Sequence, residues 1–298
     1  MVDSNQLLEK NLKELQTKSL EIAKYFVSFC RENNIQIFLC GGACLGAIRH
    51  QGFIPWDDDI DIFIPAPDLE KLKEIWPQKA DTNRYSLCFE SRHYNDHHLT
   101  PTIRDNYTTF ITEESCKTDT NQGVALEFCP LDACARTRLG EFFQIVFAAG
   151  ASLFKAQRLP NRQGKALYTA SKILLGIFRG ERTRYFIWST LERWATKPNK
   201  NYAKARYYKE LVMFPYILWR YPKEWFEEAI WVPFEDTEMP VPKGCKEYLT
   251  KRYGNFMEPP PEEDRRPEHH VIFLDLKNSY LNYRGIHYYK QAKEKSQS

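Results

Sequence analysis

Residues 38–61 read FLCGGACLGAIRHQGFIPWDDDID, and this stretch joins an apolar run, two glycines and a run of aspartates. The apolar residues 35–40 suit a short buried strand, which Gly41 and Gly42 end sharply. Residues 43–50 are good helix formers and predict a short helix directly after the glycines. The stretch therefore predicts a strand, a glycine turn and a helix, followed by an acidic strand.

The acidic strand carries two aspartates on one face. Asp59 and Asp61 are two residues apart, so their side chains point the same way while the intervening isoleucines point into the core. Carboxylates this close repel each other, and Mg²⁺ or Mn²⁺ would resolve the conflict because such ions take hard oxygen ligands. The alternative is an acidic loop without a cation, which leaves buried charge uncompensated. The pattern favours a metal site at Asp59 and Asp61.

The glycines add a candidate phosphate site. Gly41 and Gly42 let the backbone approach a phosphate closely, and the following helix offers free N–H groups and the positive end of its dipole. A plain tight turn is the alternative for a lone Gly-Gly pair. Directly before an Asp-x-Asp strand, however, the pair favours a phosphate cradle next to a metal site.

The rest of the chain predicts an α+β protein with strands in the first half and helices in the second. A 4-3-4-3-4 spacing of residues from Leu8 to Phe26 predicts an N-terminal helix. Alternation at the start of 59–64 predicts a strand, and further strand candidates fall at 85–90, 102–104, 108–112 and 124–129. Helical patterns fall at 69–76, 140–158, 165–178 and 182–195.

Composition narrows the classes of function. The 298 residues carry a net charge of +3, which is too mild to indicate a nucleic-acid partner but suits anionic substrates. The N-terminus lacks a secretory signal pattern, and the apolar segment 142–154 is too short to span a bilayer, so we expect a buried helix there. Eight scattered cysteines indicate reduced, mostly buried thiols and a cytoplasmic protein.

Two further patterns leave alternatives open. Residues 154–184 form a basic amphipathic region, which is either a solvated helical face or a surface for peripheral association with an anionic membrane. His93, His97 and His98 lie near Asp96 and Cys88, but their spacing fits no usual zinc site.

The 38–61 stretch resembles the signature of the LicD family of phosphotransferases, which includes bacterial phosphocholine transferases and fukutin-type ribitol-phosphate transferases. The resemblance continues at 104–109 (RDNYTT) and 123–132 (GVALEFCPLD). Shorter matches follow in the C-terminal part, at residues 240–242, 248–254, 259–263 and 269–270. It implies a nucleotidyltransferase-type mixed sheet core at residues 30–135, closed by a mainly helical part at 136–298, with residues 1–298 forming one body.

The resemblance also implies a third carboxylate. The family usually has Asp-Ile-Phe-Pro-Leu-Asp where this chain has residues 127–132, so Glu127 replaces an aspartate and reaches one methylene further. Glu127 would then be a metal ligand or the general base, and the alternative is an exposed strand-edge glutamate. Asp132 is either functional or a turn residue after Pro130 and Leu131.

The matched segments contain further candidates for binding the donor. Arginine suits bidentate recognition of phosphate, so Arg49 or Arg104 could bind it, and Asp105 lies in the same matched segment. The alternative for Arg49 is an ion pair with the neighbouring aspartates of the turn, Asp57 or Asp58. Three histidines are further candidates for binding the donor: His50, His269 and His270. They could contact a phosphate or a base, or simply lie at the surface.

The reaction implied by the resemblance transfers a phospho-alcohol from a CDP-activated donor, such as CDP-choline or CDP-ribitol. The acceptor would be a sugar hydroxyl of a glycan or glycolipid, with CMP and a phosphodiester as products. Glu127 would receive the proton of the attacking hydroxyl. The alternatives are nucleotidyl transfer with release of pyrophosphate, and a catalytically silent protein that binds a glycan or a nucleotide.

Overall fold

A computed structural model describes residues 4–159, 164–267 and 269–290. In these ranges the chain forms seven α-helices: α1 (Ser4–Glu32), α2 (Gly41–His50), α3 (Ala66–Lys79), α4 (Arg138–Ala156), α5 (Lys165–Ile177), α6 (Glu181–Ala195) and α7 (Cys245–Tyr253). The strands are β1 (Phe38–Leu39), β2 (Asp61–Pro65), β3 (Tyr85–Cys88), β4 (Thr102–Asp105), β5 (Thr109–Thr112), β6 (Ala125–Ala133), β7 (Tyr207–Glu210), β8 (Tyr221–Pro222), β9 (Ala229–Phe234), β10 (Thr237–Pro242) and β11 (Val271–Asp275). The predicted α+β class with an N-terminal helix is confirmed.

Seven strands form one mixed sheet. Its main path runs β1-β2-β6-β4-β3, and β7 extends it by pairing with β6 and with β8. β2 and β6 are parallel, whereas the other pairs of this sheet are antiparallel. Two small antiparallel pairs lie outside it, β9 with β10 and β5 with β11. The long strand β6 therefore has β2 on one side and both β4 and β7 on the other.

Both faces of the sheet are covered. Ile62, Phe63 and Ile64 are consecutive on β2 and at most 1% exposed, a pattern typical of a strand buried on both sides. On one face, the ring of Phe26 from α1 lies 4.7 Å from Phe128 of β6. On the other face, Phe63 packs edge-on against Tyr248 of α7 at 5.3 Å. Apolar alternation along β2 and β6 thus fixes which residues face α1 and which face α7.

The second part of the chain contributes strands that its hydrophobic pattern does not reveal. β7 and β8 join the main sheet, while β9 and β10 contain prolines, which normally argue against a strand. The helices predicted at 140–158, 165–178 and 182–195 are present as α4, α5 and α6. The division at residues 135/136 stays a prediction, although the shared sheet ties the two parts together.

Helix α4 corrects one expectation. The sequence predicts a buried helix at 142–154, but α4 is only partly buried there: Gln144, Ala148 and Phe154 are buried, whereas Phe142 is 59% exposed. By length and composition alone, α4 could cross a membrane, yet 28% of its apolar window is buried in the described structure. Apolar periodicity cannot show whether a helix turns this face toward a core or away from it.

The contact between α1 and β6 should dominate the stability of the core. Phe128 is fully buried, so Phe128→Ala should lower the free energy of unfolding by about 3–5 kcal/mol through lost burial and a cavity. Phe186 on α6 is 70% exposed, and Phe186→Ala should change the free energy of unfolding by less than about 0.5 kcal/mol. Urea denaturation followed by circular dichroism measures both, and equal effects would contradict this packing.

Candidate active site

Two carboxylates face each other across the parallel strands of the sheet. Asp61, the first residue of β2, stands in register with Glu127 of β6, and in-register residues of paired strands project from the same face. Asp59 precedes β2, and burial alternates from Asp58 to Ile62 as in a strand. Desolvation, together with the charges of Asp59, Glu127 and Asp57, raises the pKa of Asp61 well above its usual value. The site concentrates negative charge.

Asp58 belongs to the site, although the sequence pattern favoured a turn or an ion pair with Arg49. It is 4% exposed, and its Oδ2 lies 2.9 Å from Nδ1 of His269. Its Oδ1 is buried without a hydrogen-bond partner among the described residues. Burial alone lowers the pKa of His269, but the hydrogen bond to Asp58 and the charges of Asp59 and Glu127 raise it to about 10.

Glu127 is held from the loop that precedes β4. Thr100 donates its hydroxyl hydrogen to Oε2 of Glu127 at 2.8 Å, and Nδ1 of His98 lies 3.6 Å from Oε1. Burial, the largest effect, lowers the pKa of His98, which favours a neutral imidazole. The sequence predicts neither residue as a partner of Glu127, because loop residues carry no periodic pattern that indicates such a contact.

The predicted glycine cradle adjoins these carboxylates. Gly41 has a φ of 52°, and a Cβ there would lie 3.3 Å from Oδ2 of Asp61 and 3.8 Å from a guanidinium nitrogen of Arg252. The backbone N–H of Gly41 donates to the hydroxyl of Tyr248 at 2.9 Å. Cys40, the N-cap residue of α2, makes no side-chain cap hydrogen bond, and the carboxylate of Asp57 lies beside Gly42 in the first turn. Arg252 was part of a matched segment but was given no role.

A cavity of about 910 Å³ connects most of these groups. Its polar wall contains Asp58, Asp59, His97, His98, Thr100, Arg104, Glu127, His269 and His270. Its other wall is apolar and includes Val146, Leu153, Leu167 and Leu174 from α4 and α5. The structure therefore brings predicted residues from the acidic run, from β6 and from the C-terminal histidines around one space.

Other predicted donor-binding residues are engaged in structural contacts. The buried guanidinium of Arg104 donates to Asp96 and to the carbonyl of Gly123, both at 3.3 Å, so it forms part of the cavity wall. Asp105 is fully buried and accepts from Arg84 at 3.2 Å. Neither side chain is arranged as an open phosphate contact, because each already has a charged partner.

Arg49 and His50 lie at the other end of α2 from Gly41. Arg49 donates to the carbonyl of Phe256 and to Nε2 of His50, both at 2.9 Å. Neither residue lines the cavity that contains Asp59. Their role in binding the donor stays a prediction.

Asp132 lies in a different cavity, of about 1040 Å³, next to Glu192 and Lys155. It is 4% exposed, and its Oδ1 accepts a hydrogen bond from Asn199 at 2.6 Å. Burial raises the pKa of Asp132 to about 7. The structure does not bring Asp132 together with Asp59 and Glu127.

The donor set fits a divalent cation. Among the described residues, ligand atoms of Asp58, Asp59 and His269 lie within 4.8 Å of one another. Asp61 and Glu127 border the same cluster of negative charge. The buried Oδ1 of Asp58 without a hydrogen-bond partner and the raised pKa of Asp61 both indicate uncompensated negative charge. Carboxylate oxygens at this density are the ligands that Mg²⁺ and Mn²⁺ prefer. In the group around His93 and Cys88, whose spacing fits no usual zinc site, Asp96 pairs with Arg104.

Known proteins resemble this chain over its first part and over most of its length. Residues 34–113 match the family model described as LicD/FKTN/FKRP, nucleotidyltransferase domain. Lipopolysaccharide cholinephosphotransferase LicD of Haemophilus influenzae is 27% identical over 293 aligned residues, covering 87% of this chain and 96% of the relative. Ribitol 5-phosphate transferase FKRP of Homo sapiens is 36% identical over 55 residues, 18% of this chain and 11% of that protein.

These matches, on a mixed sheet with an acidic cavity, define the class: the chain is a phosphotransferase. Within that class, residues 34–113 match the LicD family domain, and the chain is similar to LicD over most of its length.

The buried carboxyl of Asp132 should make stability depend on pH. Its folded pKa, about 7, lies above the unfolded value, so the folded state retains a proton that the unfolded state loses between about pH 4 and 7. Wild-type stability therefore falls over this range, whereas Asp132→Asn carries no such penalty. We expect the stability of the variant relative to wild type to rise by about 1–3 kcal/mol between pH 5 and 8.

Urea denaturation at the two pH values tests this, and a difference that does not change with pH would contradict it. The same variant should keep its phosphotransferase activity, because Asp132 lies outside the cavity of Asp59 and Glu127. Loss of activity with intact folding would assign Asp132 to the active site instead.

Proposed function

We propose that this protein transfers a phospho-alcohol, such as phosphocholine or a polyol phosphate, from a CDP-activated donor to a sugar hydroxyl of a glycan or glycolipid, and releases CMP. The observation that carries the proposal is the cluster of Asp59, Asp61 and Glu127 beside the N-terminus of α2. A relative aligned over most of the chain is named as a lipopolysaccharide cholinephosphotransferase, which supports this choice of transferred group and acceptor class.

Mg²⁺, or Mn²⁺, would be held by Asp59, Asp61 and Glu127, with Asp58 and His269 at the edge of the same cluster. When bound, such an ion neutralises charge on the transferred phosphoryl group. The hydrogen bond from Thr100 orients Glu127, and the His269 contact orients Asp58. These partners keep mutually repelling carboxylates in one geometry before a ligand arrives.

The donor's diphosphate suits the N-terminus of α2. The positive end of the helix dipole attracts anions, and the positive charge of Arg252 lies beside Gly41. Glu210 pairs with Arg252 at 3.3 Å and fixes its position. A diphosphate bound here lies next to the carboxylates, as phosphoryl transfer requires.

The chemical step forms one bond and breaks one. The acceptor's hydroxyl oxygen bonds to the phosphorus that carries the alcohol, and the phosphoanhydride bond breaks so that CMP leaves with the bridging oxygen. Glu127 takes the proton of the attacking hydroxyl, and His98, whose Nδ1 lies 3.6 Å from Oε1 of Glu127, is placed to accept that proton next. The longer arm of glutamate places this carboxylate further into the cavity than an aspartate would.

A screen of CDP-alcohols with Mg²⁺ tests the function. Wild type should release CMP, and Glu127→Gln should lower the rate about 10²–10⁴-fold because it removes the proton acceptor. Asp119→Asn is the control, since Asp119 forms an exposed ion pair with Arg284 and its loss should leave the rate within about twofold.

The products separate the alternatives. CMP together with a phosphodiester on the acceptor supports the proposal, whereas pyrophosphate release would point to nucleotidyl transfer. Binding of CDP-alcohols without turnover, unchanged in Glu127→Gln, would indicate a catalytically silent binding protein and would overturn the proposal.

A further inference from the structure

We propose that the outward faces of α4 and α5 dock this protein on a lipid bilayer that contains anionic lipid, and that the active-site cavity opens toward that bilayer. The docking surface is defined as the exposed apolar residues of the two helices: Leu139, Phe142, Phe143, Val146, Leu167, Ile173, Leu174 and Ile177. Its consequence for the acceptor, which would be membrane-anchored, rests on the proposed function, whereas the docking does not.

Helix α4 buries Glu141 and Gln144 as well as three apolar residues, Ala148, Ala151 and Phe154, and it exposes large apolar side chains. It buries Glu141, which pairs with Lys209 at 2.9 Å, and Gln144, which donates to the carbonyl of Ala133 at 2.9 Å. It exposes Leu139 and Phe142, at 67% and 59%. Apolar surface is normally turned inward because its exposure to water is unfavourable. Polar groups that are satisfied inside and rings that point outside indicate an apolar neighbour beyond the chain.

Helix α5 extends the same surface. Ser171 is its only buried residue among those described, while Ile173 and Ile177 are 55% and 65% exposed. Phe178, directly after the helix, is 38% exposed and its ring lies 5.9 Å from that of Phe154 on α4, and both helices line the same cavity. The exposed apolar patch therefore spans two neighbouring helices. This is more than the scattered single apolar residues that occur on most protein surfaces.

The charge around this surface favours a bilayer over a protein partner. Residues 142–180 contain six lysines and arginines and no aspartate or glutamate, although Lys155 pairs with Glu192 and Arg158 with Glu114. Lys165, Lys172 and Arg179 are exposed on or beside α5. Long basic side chains can reach the phosphate groups of lipids while neighbouring apolar residues enter the acyl region. Anionic headgroups complement this uniform sign of charge.

The docking surface is continuous with the active site. Val146, Leu167 and Leu174 belong to it and also line the cavity that contains Asp59 and Glu127. The apolar wall therefore leads from the bilayer side to the carboxylates. A glycan attached to a lipid anchor can present a hydroxyl there while its anchor stays in contact with the membrane.

Vesicle co-sedimentation of the full chain tests the docking. Vesicles of phosphatidylcholine with about 30% phosphatidylglycerol have a negatively charged surface. We expect wild type to bind them better than vesicles of pure phosphatidylcholine. The double variant Phe142→Ser/Ile177→Ser should lower the partition coefficient at least about tenfold. Lys165→Glu/Lys172→Glu should remove the preference for the anionic vesicles.

The matched control is Leu281→Ser/Ile286→Ser, because these residues are 62% and 56% exposed elsewhere on the protein. Circular dichroism checks that all variants fold. No vesicle binding by wild type, or an equal loss in the control, would overturn the proposal. A wild-type dimer in sedimentation velocity that Phe142→Ser disperses would also overturn it, since a second copy would then cover the surface.

The acceptor consequence has a separate readout. With lipopolysaccharide in vesicles and CDP-choline, Phe142→Ser/Ile177→Ser should raise the KM for the acceptor about tenfold at unchanged kcat, while the deacylated oligosaccharide is used as by wild type. Equal changes with both acceptors would contradict a membrane-held acceptor. If wild type used neither acceptor, the proposed function would fail, and the sedimentation result would still decide the docking.

Discussion

The parallel pairing of β2 with β6 is the constraint on which the rest of the site depends. This register sets Asp61 opposite Glu127 on one face of the sheet, and Asp59 brings a third carboxylate to the same region. Burial and mutual repulsion raise the pKa of Asp61, so the arrangement is costly without a compensating cation. Packing of Phe26 against Phe128 on the opposite face keeps the register in place.

Distant segments complete what the two strands begin. The antiparallel pairing of β11 with β5 positions the segment just before β11. His269 in that segment therefore contacts Asp58, 211 residues away in the sequence. Helix α7 supplies Tyr248 to the N–H of Gly41 and Arg252 to the same corner. The candidate site is therefore assembled from the segment that matches the family model and from the part of the chain that follows it.

Local pattern predicted the elements that obey a simple period. The sequence predicts the strand at Asp59 and Asp61 and the glycine turn before α2, because strand and turn preferences depend on neighbouring residues. It does not predict the pairing of Asp58 with His269, since a contact over such a separation leaves no trace in either segment. The outward face of α4 was misjudged for another reason: an apolar stripe has the same period whether it faces a core or an external apolar phase.

Calorimetric titration of CDP-choline, with and without Mg²⁺, tests the central claim that the carboxylate cluster holds a cation for a phosphorylated donor. Wild type should bind CDP-choline at least about tenfold more tightly with Mg²⁺ than without it, and Asp61→Asn should remove that difference because the cluster loses a ligand. Binding of equal strength with and without Mg²⁺ in both proteins would contradict the account.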